Sequence, residues 1–126
     1  MNETPEKKPF DLHLGTKSFA KKVRAFVKSL PVSIARSDDA KQLLRSSGSV
    51  GANFIEAGEG LSARDRLHKM KICRKESKES EYWLDLIEIP EIPGLDRVRK
   101  DLMDEAGQLT KIFGKIVTNG ENPPRD

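Results

Sequence analysis

The chain has 126 residues, with 23 Lys and Arg against 20 Asp and Glu, 36% apolar and 34% charged residues, and a net charge of +3. That is the size of one domain with a modest core and a heavily charged surface. A single Cys excludes an internal disulfide framework and a zinc site built on cysteine pairs, no apolar run is long enough to span a membrane, and MNETPEKKPF lacks the apolar core of a signal peptide, so the expected location is the cytoplasm.

Residues 1–15 read as an N-terminal tail, because Pro5 and Pro9 break helices and Gly15 punctuates the end. Phe19, Val23, Phe26, Val27 and Leu30 then recur on one helical face, predicting a first helix from Lys17 to Leu30, capped by Thr16 or Ser18 and stopped by Pro31. A second helix has Asp38 and Asp39 near its start, Leu43, Val50 and Phe54 on one face, and Gly58 and Gly60 as its stop. Its Ser46, Ser47, Gly48 and Gly51 are weak helix formers whose small size lets a neighbouring helix come close. A third helix starts at Ser62, with Asp65 completing an approximate capping box, and lines up Met70, Cys73, Ser77, Ser80, Leu84 and Ile87 before Pro90 and Pro93 end it. A fourth begins near Leu95 and Asp96 and carries Val98, Leu102, Ala106, Leu109, Ile112, Phe113 and Ile116; residues 119–126 read as a C-terminal tail. Short connections and the absence of any strand pattern predict an all-α, antiparallel up-down four-helix bundle over residues 16–118.

The third helix has apolar residues to spare. Ile72, Tyr82, Trp83 and Leu86 fall roughly opposite its core stripe, which predicts self-association through them. Charge is uneven too. Lys17, Lys21, Lys22, Arg24 and Lys28 have no acidic residue among them, and Lys17, Lys21, Arg24 and Lys28 share one face. Between residues 64 and 75, Arg64, Arg66, Lys69, Lys71, Arg74 and Lys75 meet only Asp65, and beyond Glu76 the sign reverses. Basic residues early and acidic residues late in a helix oppose its dipole, so helix stability does not explain the order. Pairing with neighbouring helices is one explanation; a basic surface for a polyanion, with Lys17, Lys21, Arg24, Lys28, Arg64, Lys71 and Lys75 as its contacts, is the other.

Enzyme signatures are missing. Gly48-Ser49-Val50-Gly51 is not a nucleophile elbow, which needs Gly-x-Ser-x-Gly after a strand. A di-iron bundle needs two Glu-x-x-His elements; Asp65 with His68 is the nearest pair, and Glu76 and Glu79 are placed off the core stripe. No catalytic residue, metal site or cofactor is expected, and Cys73 is read as a small core residue. One polar pattern remains. Gln42, Arg45, Ser49, Asn53 and Glu56 share a side of the second helix away from its apolar residues, where Asn and Ser need a reason to be. They read either as an interhelix hydrogen-bond network or as a ligand site, with Glu56 or Glu79 as acidic partner for Arg45.

The stretch Gln42-Leu-Leu-Arg45-Ser-Ser-Gly48-Ser49-Val-Gly-Ala-Asn53-Phe-Ile-Glu56-Ala-Gly58-Glu-Gly60 resembles the central motif of the 23S rRNA intervening-sequence proteins, the four-helix bundle protein family. Lys75-Glu76-Ser-Lys-Glu79-Ser-Glu-Tyr82-Trp83-Leu84 looks like its second motif, and Leu61-Ser-Ala-Arg-Asp departs from the Gly-Arg step that many members show after Gly60. The resemblance runs from about Phe19 to Ile116. It implies an antiparallel bundle assembling as a ring-like homopentamer, encoded by free-standing bacterial genes or by inserts in 23S rRNA genes. A related bundle, the accessory protein of diversity-generating retroelements, is a basic pentamer that binds nucleic acid and a reverse transcriptase. The family assigns no chemistry to Arg45, Ser49, Asn53, Glu56 or Glu79.

Two functions follow as expectations. One is a non-enzymatic oligomer that binds structured RNA or DNA through the basic faces, linked to rRNA inserts or a retroelement. The other is a scaffold or adaptor ring for a protein partner such as a reverse transcriptase. With five Phe, one Trp and one Tyr, mostly placed for packing, backbone or shape recognition is expected over base stacking.

Overall fold

A computed structural model describes residues 11–123. Among them it has four helices and no strand: α1 (Leu12–Lys28), α2 (Ile34–Gly58), α3 (Ala63–Leu86) and α4 (Leu95–Glu121). The molecule is a four-helix bundle.

α1 starts five residues before the expected Lys17. Asp11, not Thr16 or Ser18, caps it: its carboxylate accepts the Leu14 N–H at 3.1 Å. Gly15 does not break the helix, because its N–H reaches the Asp11 carbonyl at 2.8 Å. Thr16, expected as a cap, is inside the helix and buried, with its hydroxyl donating to the Leu12 carbonyl at 2.7 Å. Residues 11–15 of the expected tail are therefore the cap and first turn of α1, while residues 1–10 lie outside the described part.

α2 is capped by Ser33, whose hydroxyl accepts from the Arg36 N–H at 3.2 Å, so Asp38 and Asp39 sit beyond its first turn rather than at its start. Arg36 donates its Nε–H to the Glu88 carbonyl at 2.8 Å and ties the start of α2 to the segment after α3. α3 is capped by Ser62 as expected and ends at Leu86, ahead of Pro90. α4 follows Gly94, which has φ +85°, a left-handed conformation that favours glycine. The carboxyl of Asp96 in its first turn is held below the usual carboxylate range by hydrogen bonds from Lys100 and Arg99. The helix runs on to Glu121, through Asn119 and Gly120 of the expected tail, because Leu67 packs directly over Gly120.

The core is one cluster. Phe19, Val23 and Phe26 of α1, Leu43 and Val50 of α2, Cys73 and Leu84 of α3, and Leu102, Ala106, Leu109 and Phe113 of α4 are all buried together. Each large apolar side chain removed from water there contributes ~1.5–3 kcal/mol. Phe54 and Phe113 meet across the centre, tilted by 57° with ring centroids 6.1 Å apart. α1 packs on α2 and α4, α3 packs on the same two, and α1 and α3 are not neighbours. The close approaches expected from small residues occur, but divided between two partners. Gly48 and Gly51 lie under Arg24 and Thr16 of α1, whereas Ser46 faces α3, its hydroxyl 3.0 Å from that of Ser80. Glu56, late in α2, reaches Lys69, early in α3; Val50 reaches Cys73; and Ser46, midway along α2, reaches Ser80, late in α3.

Candidate nucleic-acid interface

The polar stripe of α2 is built against α3. Arg45 is its centre. The guanidinium donates to Glu76 at 3.0 Å and to Gln42 at 3.2 Å, and lies 3.6 Å from Glu79. Glu76 is buried, with its side chain 4% exposed, and Lys75 approaches its other oxygen at 3.6 Å. Asn53 donates to the Ser49 carbonyl at 2.8 Å and stands 2.9 Å from its hydroxyl; Glu56 pairs with Lys69. Gln42, Arg45 and Glu79 thus come together around Glu76, Ser49 and Asn53 bond each other, and Glu56 belongs to a separate pair. Arg45 and Glu56 bridge to α3, whereas the Ser49–Asn53 bond stays within α2.

Glu76 corrects the expectation that it lies off the core stripe. The signal was present: Cys73, Glu76, Ser80, Trp83 and Ile87 recur at three- and four-residue steps, and all five are turned inward to some degree. A buried carboxylate needs compensating charge and hydrogen bonds, and Arg45 with Lys75 supplies both. Trp83 is corrected by the same pattern. It is half-buried and packs against the core, and its indole N–H is buried without a hydrogen-bond partner. It is not opposite the core with Tyr82 and Leu86, which are 57% and 47% exposed. Its ring meets that of Tyr82 edge-on, with centroids 5.1 Å apart. Ile72 is half-buried.

The basic residues sort themselves by geometry. Of the six between residues 64 and 75, Lys69 is engaged with Glu56, Arg74 lies against Gly114 of α4, and Arg66 packs on Gly60. Arg64, Lys71 and Lys75 are exposed at spacings of seven and four that put them on one outer face of α3, with Lys75 also 3.6 Å from Glu76. Arg64 and Lys71 have no ion-pair partner among the described residues. On α1, Lys17, Lys21, Arg24 and Lys28 are exposed; Arg24 folds back over Gly48 and donates to the Ala20 carbonyl at 3.1 Å. Lys22, one step round the helix, pairs with Glu105 of α4 at 3.3 Å. Since α1 and α3 are not neighbours, the two stripes do not merge into one patch.

Cys73 is fully buried, its thiol 3.5 Å from the Val50 carbonyl, and burial pushes its pKa up to about 12. Among the described residues no group of three or more His, Cys, Asp or Glu is placed to hold a metal ion, and no helix is long and apolar enough to cross a membrane.

A family model described as 23S rRNA-intervening sequence protein matches residues 14–114. The chain belongs to the 23S rRNA-intervening sequence protein family. The matched span holds the whole Arg45 network and both basic stripes of this family member. A crystal structure of a protein with unknown function from the S23 ribosomal protein family of Bacteroides thetaiotaomicron VPI-5482 has a similar fold. It is 25% identical, with a TM-score of 0.71 over 85% of this chain and 98% of that one. No curated protein matches the chain in sequence.

Proposed function

We propose that this family member is a non-enzymatic, cytoplasmic, oligomeric protein that binds structured nucleic acid, rRNA in the first place, through phosphate contacts. The observation that carries the reading is the α3 stripe: Arg64, Lys71 and Lys75 face outward together, Arg64 and Lys71 without an ion-pair partner among the described residues, while Lys69 is paired with Glu56. Membership in a family linked to the 23S rRNA intervening sequence supports it. The α1 stripe is the weaker phosphate surface, because Arg24 is drawn onto Gly48 and the exposed Leu14 stands at the head of the row. The buried, proton-holding thiol of Cys73 offers no nucleophile at neutral pH, in keeping with a binding role.

The finer architecture belongs to the same proposal. Contacts that advance along α3 as they retreat along α2, from Glu56 with Lys69 to Ser46 with Ser80, support an antiparallel up-down bundle, and the exposed Tyr82 and Leu86 support assembly into a ring, a homopentamer by family resemblance. In a ring the α3 stripes of several copies act on one polymer, and linked contacts raise avidity beyond any single site. Fluorescence anisotropy with a 23S rRNA stem-loop from ~50 to ~300 mM salt tests this: binding falls steeply with salt, since each neutralised phosphate contributes about −0.7 to −0.9 to the log–log slope. No binding at the low-salt end, or binding indifferent to salt, overturns it.

A further inference from the structure

One end of the bundle leaves large apolar side chains in water. The connection from α1 to α2 (residues 29–33) and that from α3 to α4 (residues 87–94) lie side by side there. Arg36 ties them, donating to the Glu88 carbonyl at 2.8 Å and to the Pro31 carbonyl at 3.5 Å. Val32 is 97% exposed, Ile34 90%, and Ile92 and Val98 are half-exposed. Two hollows flank the end of α1 beside them. One, of about 740 Å³, has Phe26, Ile92, Pro93 and Val98 in its wall; the other, of about 150 Å³, has Leu30, Pro31 and Val32. Such a cluster on a surface otherwise rich in charge marks a contact site. The rim is acidic. Asp38, one turn beyond Ile34, and Asp85, Glu88 and Glu91 are exposed and have no ion-pair partner among the described residues. The nearby cations Arg97, Arg99 and Lys100 are taken by Asp96 and Asp101, which leaves Lys28 free at this end among the described residues.

We infer that this end docks an amphipathic segment of a protein partner, one whose apolar side chains are flanked by Lys and Arg. The inference goes beyond phosphate binding and does not rest on it. Val32, Ile34, Ile92 and Val98 offer apolar footing for anchors three or four residues apart on a partner helix, and Asp38, Glu88 and Glu91 meet its cations. The same carboxylates argue against other occupants. They repel the phosphates of a nucleic acid or of an anionic membrane, and a second copy placed end to end would set them against each other. The charge order along α3 gains a reason here. Six carboxylates stand against Lys78 from residue 76 to residue 91, an order the helix dipole disfavours, and they carry negative potential to this end. The basic stripe begins at Arg64, about 33 Å along α3 from Leu86, so the two surfaces are separate.

The experiment is fluorescence polarisation of a labelled peptide, ~18 residues of Leu and Lys with the Leu on one helical face, titrated with the full chain at near-physiological salt. The wild-type chain binds it at least about tenfold more tightly than the same peptide with Glu in place of Lys. Val32→Ser with Ile34→Ser lowers the affinity about fivefold or more, and Glu88→Lys with Glu91→Lys about tenfold or more. All four positions are exposed, so circular dichroism melts stay those of wild type. No binding of the cationic peptide, an equal affinity for the acidic one, or an affinity untouched by either pair of substitutions overturns the inference. A smaller mass by light scattering for Val32→Ser with Ile34→Ser gives the surface to a second copy, and a weakened grip on the rRNA stem-loop in that variant gives it to nucleic acid; either result overturns the inference too. Peptide binding that persists in a chain indifferent to RNA sinks the nucleic-acid reading and leaves this surface standing.

Discussion

Replacing Arg45 by Met strips the guanidinium from a carboxylate that has almost no access to water. The Glu76 side chain is 4% exposed, and Arg45 approaches it at 3.0 Å from a half-exposed position. Removing one partner of a fully buried pair costs ~3–5 kcal/mol. Two features reduce that here: solvent reaches the Arg45 side, and the Lys75 ammonium remains 3.6 Å from the other Glu76 oxygen. The expected cost is therefore about 2 kcal/mol. In urea unfolding at fixed protein concentration this lowers the midpoint by roughly 1 M, for a slope of ~1–3 kcal/mol per M. The informative control is Arg45→Met combined with Glu76→Leu. Two apolar side chains in place of the pair leave no uncompensated charge, so the double variant is more stable than Arg45→Met alone. A loss under ~0.5 kcal/mol for Arg45→Met, or a double variant whose cost is the sum of the singles, refutes the assignment of this pair as the bolt between α2 and α3.

Cys73 in the folded protein resists an aromatic disulfide reagent at neutral pH and is labelled only as urea unfolds the chain; rapid labelling of the native state contradicts its burial. Its folded pKa of about 12 lies above the ordinary 9.0, so the unfolded thiol ionises first. Wild-type stability consequently falls as pH rises from 9 toward 12, and the stability difference from Cys73→Ala shrinks over that window. Trp83→Phe removes a buried N–H that has no acceptor and stays within ~1 kcal/mol of wild type, whereas Trp83→Ala costs ~3 kcal/mol or more in unfolding. A Trp83→Ala chain that unfolds like wild type but dissociates would place Trp83 back at an exposed interface. Gly94→Ala forces a side chain into φ +85° and costs ~1–2 kcal/mol, read as a lower melting temperature.

The four helices were legible because apolar residues at helical period separate cleanly at Pro31, Gly60 and the Pro90–Pro93 segment. Boundaries were less so. Gly15 reads as a stop in isolation, yet Asp11 capping and the burial of Thr16 against Gly51 outweigh a glycine penalty of ~1 kcal/mol. Gly120 is carried into α4 in the same way by Leu67. The polar stripe of α2 was visible, but not its partner. Glu76 is charged, and charge argues for the surface until Arg45, thirty-one residues earlier, is brought beside it. Trp83 was misplaced because it was grouped with its exposed neighbour Tyr82, although its steps of three from Ser80 and four to Ile87 put it with the inward residues. Charge runs told least. Six basic residues in a row of twelve look alike on paper, and only packing separates Lys69, paired with Glu56, and the half-buried Arg74 from Arg64 and Lys71, which face outward.

The central claim, that the outer face of α3 holds phosphate, is tested most directly by Arg64→Glu with Lys71→Glu. Lys75 is left in place because it also faces the buried Glu76. The account predicts an unchanged mass by light scattering, an unchanged melt, an affinity for the rRNA stem-loop reduced at least about tenfold, and a salt dependence shallower by about two phosphate contacts per engaged chain. An intact assembly that binds the stem-loop as tightly as wild type, with the same salt slope, contradicts it.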